Sequence, residues 1–210
     1  MPTPFTGWPE HAMDVLWQLQ GEPTHATRER CRTDREHLVR RPMIALLNAI
    51  ADTDPRYEDF SVWHYRTDSW WWQNQSAAIR RGRKIEINLR LSLDGLHIQG
   101  AWWYPDPGQI DTFRTAVAHD TSGPELATLI DDLHHQGYNI SGDTLQRPPR
   151  GYPAHHPRAH LLRHRSLIAA RHLDYGPWLH TPQALDRVLA AITDLDPFLT
   201  WLVHHIKRTT

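Results

Sequence analysis

A regular alternation of apolar and polar side chains runs through residues 84–104. Apolar side chains occupy every second position from Ile85 to Leu93, and an apolar pattern resumes from Leu96 onward. Because successive side chains of a β-strand point to opposite faces, this period of two predicts two strands. Asp94 and Gly95 separate them and favour a tight two-residue turn, so the segment is predicted to form a β-hairpin.

The two faces of this hairpin differ in chemistry. With this turn, Leu93 is expected opposite Leu96 and Leu89 opposite Gly100, which collects the apolar side chains on one face. The other face carries Glu86, Asn88, Arg90, Ser92, His97, Gln99 and Trp103. Such a sheet is typically antiparallel and covered by helices on one side, with its polar face either wet or lining a cavity.

Helical patterns precede and follow the hairpin. Before it, we expect a helix over residues 9–20, a second one capped by Thr24 or Thr27, a restart at Pro42 and a third strand over residues 60–66. The charged run at residues 27–40 is typical of a solvated helix face. After the hairpin, one helix is predicted from Asp106-Pro107 to about residue 118, and a second from a capping box at Ser122–Glu125 to Gly137. Two C-terminal helices are predicted to begin at Thr181-Pro182, ending at about residue 193, and at Asp196-Pro197.

This order of elements predicts an α+β fold, in which an antiparallel sheet with a central hairpin is packed by N- and C-terminal helices. The chain has 210 residues, of which 40% are hydrophobic, and this favours a single α+β domain over residues 1–210.

Charge and cysteine content exclude several classes of protein. A formal net charge of −1 argues against a nucleic-acid binder. No apolar run is long enough for a membrane span, and the N-terminus lacks a signal-peptide pattern, so no membrane partner and a cytoplasmic location are expected. Cys31 is the only cysteine, which excludes an intrachain disulfide and a multi-cysteine zinc site.

Arginine and histidine are concentrated in a segment that contains no acidic residue. Residues 144–173 contain six Arg, five His, and neither Asp nor Glu. Guanidinium groups beside a Pro- and Gly-rich loop favour an anion, so Arg150 and Arg158 are predicted to bind a ligand. The alternative is an ion-pair network with the acidic segment 94–143.

Three consecutive tryptophans form the second unusual feature. Trp70, Trp71 and Trp72 cannot all point into one core, since neither a strand nor a helix sends adjacent side chains to the same face. At least one is expected to line a cavity or a contact surface, and Arg66 and Arg90 would then suit a flat or anionic small molecule. Core packing or a homodimer interface is the alternative reading.

Candidates for catalysis are few. His156 has a near-neutral reference pKa and is the candidate acid or base, together with Asp68. His155, His156 and His160 are close in sequence but lack a defined ligand spacing, so no metal site is predicted. Phosphate-binding Gly-rich loops and a Gly-x-Ser-x-Gly elbow are missing from the sequence, and no cofactor is predicted.

Four motifs follow one another along the chain. They are Phe5-Thr6-Gly7-Trp8 before a helix, Tyr65-Arg66-Thr67-Asp68, a sheet hairpin, and the late run Pro149-Arg150-Gly151-Tyr152 with His156-Pro157 and Leu161-Leu162. This order of motifs resembles that of the domain-of-unknown-function 2461 family of bacterial proteins. The resemblance implies a shared site that groups Arg66, Arg150, Tyr152, His156 and Arg158. The chain departs from the family pattern at residues 69–75 and at His155, which replaces an acidic residue.

These observations lead to two functional hypotheses. In the first, a pocket lined by Trp, Arg and His binds a small anionic or aromatic molecule, and the protein is an enzyme if His acid/base chemistry operates there. The ligand-binding residues would include Tyr152 together with the arginines and indoles named above. In the second, the chain is a non-catalytic interaction module whose exposed indoles form a homodimer or partner surface.

Overall fold

The computed structural model describes residues 4–64 and 68–206. The chain forms two compact units. Of the described residues, the first unit contains 4–64, 68–79, 88–98 and 172–191, and the second contains 80–87, 99–171 and 192–206. No observation tests whether the chain is a single domain, so that expectation stays a prediction. No helix within the described ranges is long and apolar enough to cross a membrane.

A six-stranded sheet confirms the predicted α+β class. Its strands are β1 (Phe60–Val62), β2 (Gln75–Gly82), β3 (Ile85–Ser92), β4 (Gly95–Trp102), β5 (Asn139–Ser141) and β6 (Leu167–Asp174), in the spatial order β1-β2-β3-β4-β6-β5. β1 pairs antiparallel with β2, with Phe60 opposite Ile79. β5 pairs antiparallel with β6, with Ile140 opposite Ala169.

The central hairpin has the predicted faces but a different register. The turn lies at residues 93–94 rather than 94–95, because β3 ends at Ser92 and β4 begins at Gly95. The backbone N–H of Trp103 donates to the carbonyl of Lys84 at 2.8 Å, which shifts every expected cross-strand pair by two residues. The predicted opposition of Leu93 and Leu96 is therefore wrong. A shift by two leaves each side chain on its predicted face.

Gly95 explains why the strand restarts where it does. Its φ of +126° is a conformation that residues with a side chain rarely adopt. A Cβ at this position would overlap the backbone of residues 173–175, so only glycine allows that close approach. Asp94 and Gly95 therefore correctly indicated a hairpin, but Gly95 is the first residue of β4 rather than the second residue of the turn.

The N-terminal helices are α1 (His11–Gln18), α2 (His25–Asp34) and α3 (Arg41–Ala51). Thr24 caps α2, since its side chain accepts from the backbone N–H of Thr27 at 3.2 Å. A π-helical turn, Arg35–Arg40, joins α2 to α3. Pro42 has no backbone N–H to donate to residue 38, and this missing bond accounts for an irregular turn just before it.

The remaining helices are α4 (Ser69–Gln73), α5 (Pro107–Ala118), α6 (Ser122–His135), α7 (Ala159–Leu162) and α8 (Gln183–His205). α5 begins as predicted, with Asp106 and Gln109 forming a capping box. The capping box predicted at Ser122 is wrong, because the Ser122 hydroxyl donates to the carbonyl of Ala116 at 2.7 Å. α6 begins at Ser122 without a side-chain cap.

α8 replaces the two C-terminal helices that the sequence predicted. Pro197 lies inside this 23-residue helix instead of starting a new one. A proline inside a helix costs about 3 kcal/mol or more. The fully buried side chains of Leu195, Phe198, Leu199 and Leu202 form a continuous apolar stripe past Pro197, and their burial stabilises the uninterrupted helix.

Each unit has its own apolar core. In the first unit, Trp8 is fully buried and its indole N–H donates to the carbonyl of Val39 at 3.1 Å. In the second unit, Phe113 packs against Trp102 and Trp201, with ring centroids 5.0 and 6.2 Å away. These aromatic contacts confirm that several of the ten tryptophans are core residues.

Candidate functional site

A cluster of polar side chains lies on the hairpin face opposite the core, within the first unit. We call it the polar sheet face and define it as Asn88, Arg90 and Ser92 of β3, His97 of β4 and His172 of β6. The alternation of each strand places these side chains there, because the intervening residues, such as Leu89 and Leu91, are buried.

Arg90 is a half-buried cation whose partner is neutral. Its Nη1 donates to the side-chain oxygen of Asn74 at 3.0 Å. Within residues 4–64 and 68–206, no carboxylate lies within ion-pair distance of this guanidinium. Burial lowers the pKa of Arg90, and the nearby charge of Asp94 opposes that shift. An arginine nevertheless stays protonated, so Arg90 is a cation without a carboxylate at ion-pair distance among the described residues, whereas His172 of the same face pairs with Asp174 at 3.2 Å.

His97 and His172 lie on neighbouring strands with their rings stacked. The ring centroids are 4.1 Å apart and the planes differ by 15°. Burial, followed by the charges of Arg90 and His172, lowers the pKa of His97 to about 4, against the opposing effect of Asp94. His97 is therefore neutral at pH 7, and one of its ring nitrogens is a hydrogen-bond acceptor.

Three buried polar atoms of this face have no hydrogen-bond partner among the described residues. They are Nδ2 of Asn88, Oγ of Ser92 and Nε2 of His97. A buried polar group without a partner costs about 1–3 kcal/mol, and most such groups in native proteins are satisfied. All three lie on the same face of the hairpin as Arg90, for which the described residues provide no carboxylate within ion-pair distance.

A fully buried arginine fixes the loop that holds Arg90. Arg35 lies in the π-helical turn with 0% of its surface exposed. Its guanidinium donates to the carbonyls of Trp71, Trp72 and Asn74 and to the side chain of Gln75, at 2.8–2.9 Å. This anchors the backbone of Asn74, whose side chain in turn accepts from Arg90. The prediction of a solvated face at residues 27–40 is therefore wrong for Arg35.

The three consecutive tryptophans diverge, as expected. Trp72 is buried, Trp71 is half-buried, and Trp70 is 42% exposed. The rings of Trp70 and Trp71 meet edge to face at 4.8 Å, and Trp71 meets Trp63 in the same way at 5.3 Å. The side-chain amide of Asn74 donates to the backbone carbonyl of Trp70 at 2.9 Å, and its oxygen accepts from Arg90, so Asn74 connects Arg90 to the backbone of α4.

The residues predicted from sequence divide between the two units. Asp68, Trp70, Trp71, Trp72 and Arg90 belong to the first unit. Arg150, Tyr152, His156 and Arg158 belong to the second, and Arg66 lies outside the described residues. The grouping of all of them in one site stays a prediction.

Asp68 has a structural partner. Its carboxylate accepts from the backbone N–H of Trp70 at 2.7 Å and caps α4. The side chain is exposed. Its predicted role as an acid or base remains untested.

In the Arg- and His-rich loop, which we define as residues 147–165, Arg158 is bound to the end of a helix. Its Nε donates to the carbonyl of Val117 at 2.7 Å, and its Nη2 donates to those of Ala118 and His119 at 3.0 and 3.3 Å. Val117 and Ala118 are the last two residues of α5, whose carbonyls lack intrahelical donors, and His119 follows the helix. A Cβ on Gly123 would overlap both the Val117 carbonyl and this guanidinium, so the contact requires glycine there.

The other loop residues are more accessible. Arg150 is exposed and Tyr152 is half-buried. The Nδ1 atom of His156 accepts from the backbone N–H of Arg158 at 3.1 Å. His164 is the loop imidazole whose environment is most perturbed, since burial lowers its pKa.

A groove of about 1150 Å³ lies in the second unit along α5, α6 and α8. Two of its carboxylates have arginine partners, because Asp196 lies 2.7 Å from Arg81 and Asp111 lies 3.9 Å from Arg114. Trp201 lines the groove but is only 3% exposed. The polar sheet face is a better candidate for a functional site than this groove. Among the described residues, Arg90 has no carboxylate within ion-pair distance, and three buried polar atoms of the face have no hydrogen-bond partner.

Within the described part of the chain, no group of three or more His, Cys, Asp or Glu side chains is arranged to hold a metal ion. The polar sheet face presents several kinds of polar side chain. They offer guanidinium and amide donors, a hydroxyl, and a neutral imidazole.

Sequence reasoning missed several of these residues. The sequence predicts a polar hairpin face that includes Asn88, Ser92 and His97, but of this face only Arg90 was predicted to be a site residue. The alternation with apolar positions already places all four side chains on the same face. His172 was missed because β6 was not predicted. Asn74 and Arg35 had no sequence signal, since their importance comes from contacts with residues distant in the chain.

Residues 54–201 match the model of a family described as "Conserved hypothetical protein (DUF2461)". That match covers more than half of the chain. The chain belongs to the DUF2461 family. The matched region of this DUF2461 protein includes the polar sheet face and the Arg- and His-rich loop, whereas Phe5–Trp8 and Arg35 lie outside it. No curated protein and no solved structure matches the chain.

Proposed function

We propose that this DUF2461 protein binds a small anionic molecule at the polar sheet face. The observation that carries the proposal is Arg90, a half-buried guanidinium held by neutral Asn74 and lacking a carboxylate within ion-pair distance in the described residues. Removing a charge from water without an opposite charge is costly, and an anionic ligand would offset that cost.

The surroundings of Arg90 support a ligand rather than a bare charge. Asn88, Ser92 and His97 each contribute a buried polar atom without a protein partner in the described residues. Asn74 also binds the backbone carbonyl of Trp70, whose indole is 42% exposed and offers an apolar surface for a flat group on the same molecule. A small aromatic anion would use both kinds of contact.

An enzymatic role would require a group that moves protons. His97 is a weak proton acceptor near neutral pH, because its pKa of about 4 lies well below it. His156 and Asp68 remain the candidates that the sequence suggested.

Titration calorimetry with sodium phenylacetate and with inorganic phosphate tests the proposal on the full chain. We expect at least one of these anions to bind, and Arg90→Gln to weaken its binding by roughly tenfold or more, since a charge-assisted hydrogen bond contributes about 1.5–3 kcal/mol. Arg30→Gln, at an exposed position of α2, is the matched control and should bind like the native protein.

Two outcomes would contradict this assignment. Equal affinity of the Arg90→Gln variant and the native protein would remove Arg90 from the site. A loss of binding in Arg150→Gln instead would move the site to the Arg- and His-rich loop, as the family resemblance implied.

Homodimerisation through exposed indoles is a second candidate function. Trp17 is 69% exposed and Trp70 is 42% exposed. A hydrogen bond of 2.5 Å from the Gln73 side chain to the carbonyl of Gly21 joins α4 to the segment after α1. Two large exposed indoles on joined elements favour a contact surface.

A further inference from the structure

A pocket of about 450 Å³ lies in the first unit, between residues 4–9 and the helical face that runs from the π-helical turn into α3. We call it the N-terminal pocket. Of the described residues that line it, none belongs to the polar sheet face. Its volume is within the range of small-molecule sites, about 300–1,000 Å³.

Hydrogen bonds fix the wall formed by residues 4–9. The backbone N–H of Trp8 donates to the carbonyl of Leu179 at 2.9 Å, and its indole N–H donates to that of Val39 at 3.1 Å. A ring nitrogen of His180 lies 2.9 Å from the carbonyl oxygen of Trp8. Phe5, which lines the pocket, packs edge to face on Trp8 with ring centroids 5.3 Å apart. This wall is therefore in place before a ligand binds, which keeps the entropy cost of binding low.

The opposite wall contains a cation. Arg41, Ile44, Ala45 and Asn48 line the pocket, and they share one face of α3 because they are three or four positions apart. Arg41 is exposed and has no hydrogen-bond or ion-pair partner among the described residues. The part of the lining that the structure describes contains neither Asp nor Glu. The charge of Arg41 is therefore available to an anion, which its planar fork can bind through two hydrogen bonds.

The lining next to Arg41 is apolar. Asn48 lies two turns beyond Arg41, about 10.5 Å along the helix axis, and half-buried Ile44 and Ala45 occupy the distance between them. Phe5 and three prolines complete the apolar lining. A bare anion such as phosphate would contact Arg41 and leave this surface in water. A molecule with an anionic head and an apolar body uses both parts of the pocket.

We propose that the N-terminal pocket binds a small carboxylate with an apolar body. Its carboxylate binds Arg41, and its body lies against Ile44, Ala45 and Phe5. His37 precedes Arg41 by four residues and lines the same end of the pocket, where an imidazole N–H is a further donor for the carboxylate. This second site is separate from the polar sheet face and goes beyond the anion binding proposed there.

Three ligands test the assignment by titration calorimetry on the full chain: hexanoate, acetate and hexanamide. We expect hexanoate to bind roughly tenfold or more tightly than acetate, because its longer chain buries more apolar surface. Hexanamide keeps the chain but has no charge, and it should also bind roughly tenfold or more weakly than hexanoate.

Two variants locate the binding site. Arg41→Gln removes the charge and should weaken hexanoate binding by roughly tenfold or more. Ala45→Leu fills the apolar part of the pocket and should weaken it similarly, and both replacements are good helix formers. Arg30→Gln removes the same charge from an exposed position outside the pocket and is the control. Thermal melting shows whether each variant is folded.

Hexanoate binding that is lost in Arg41→Gln but retained in Arg90→Gln would support the second site. Unchanged binding in Arg41→Gln or in folded Ala45→Leu would overturn it, and so would equal affinities for hexanoate and hexanamide. Loss of binding in Arg90→Gln alone would assign hexanoate to the polar sheet face, which overturns the second site and supports the proposed function. Failure of hexanoate to bind would overturn the second site only, because the proposed function depends on Arg90 and is tested with phenylacetate and phosphate.

Discussion

At the scale of single residues, burial decides what each ionisable group can do. Arg35 and Arg90 are both removed from water, but Arg35 donates to four protein acceptors and Arg90 to one in the described residues. Arg35 is therefore a structural cation, whereas Arg90 retains donors for another molecule. The same amino acid serves two purposes because its surroundings differ.

The lowered pKa of His97 predicts a pH dependence of stability. Its pKa is about 4 in the folded protein and about 6.5 in the unfolded chain. The unfolded state therefore binds more protons between these values, so the free energy of unfolding falls as pH decreases from about 6.5 to 4. Arg90, His172 and Asp94 are the charged or titratable groups that contribute to this shift.

The expected loss is on the order of 1–2 kcal/mol, which is less than the full pKa difference implies, because His97 is only half-buried and solvent screens its interactions. Urea unfolding at pH 7 and pH 4.5 measures the free energy of unfolding of the native protein and of the His97→Gln variant. The variant should lose less stability on acidification than the native protein. An identical loss in both would mean that other groups, such as His164, control the acid response.

At the scale of secondary-structure elements, side chains from distant segments hold helix ends. α5 ends at Ala118, and its last carbonyls are bound by Arg158, about 40 residues later in the sequence. A cation is favoured at a helix C-terminus both by these hydrogen bonds and by the helix dipole. The predicted ligand residue Arg158 therefore has a structural role in addition to any role in binding.

Replacement of Arg158 separates these two roles. Arg158→Ala leaves carbonyls of α5 without their donor, and we expect the free energy of unfolding to fall by about 2 kcal/mol. Arg150→Ala is the control in the same loop, because its exposed side chain should change stability by less than about 0.5 kcal/mol. Thermal and urea unfolding provide the measurement. Unchanged stability of Arg158→Ala, combined with weaker ligand binding, would instead support the role that the family resemblance implied.

At the scale of the whole molecule, the chain builds two compact units, each with its own buried aromatic residues. The polar sheet face belongs entirely to the first unit, and the Arg- and His-rich loop belongs entirely to the second. Functions of the two regions can therefore be tested separately by variants that leave the other unit unchanged.

Oligomeric state tests the second candidate function. If exposed indoles of the first unit form a homodimer, the molar mass from light scattering should fall from dimer to monomer on dilution, and Trp70→Ala should move this transition to higher protein concentration. Tyr104→Ala is the control, since this residue is 83% exposed but belongs to the second unit. A monomer at every concentration would exclude homodimerisation as the function.

Much of the local structure could be predicted from the sequence. The period-two pattern correctly predicted which side chains lie on each face of the hairpin. The capping residues Thr24 and Asp106 correctly predicted where α2 and α5 begin. These predictions succeed because alternation and capping depend on residues within a few positions of each other. The indoles at residues 70–72 diverge for the same local reason.

The rest depended on contacts that no local pattern contains. Only the tertiary structure decided that Arg35 is buried, that Arg158 binds the end of α5, and that α8 continues through Pro197. In each case the burial of apolar surface, or the need to satisfy a buried polar group, outweighs a local preference. The sequence by itself determined the α+β class and the polar character of one sheet face. The folded chain determined which of those polar groups lack protein partners, because that depends on neighbours brought together from distant segments.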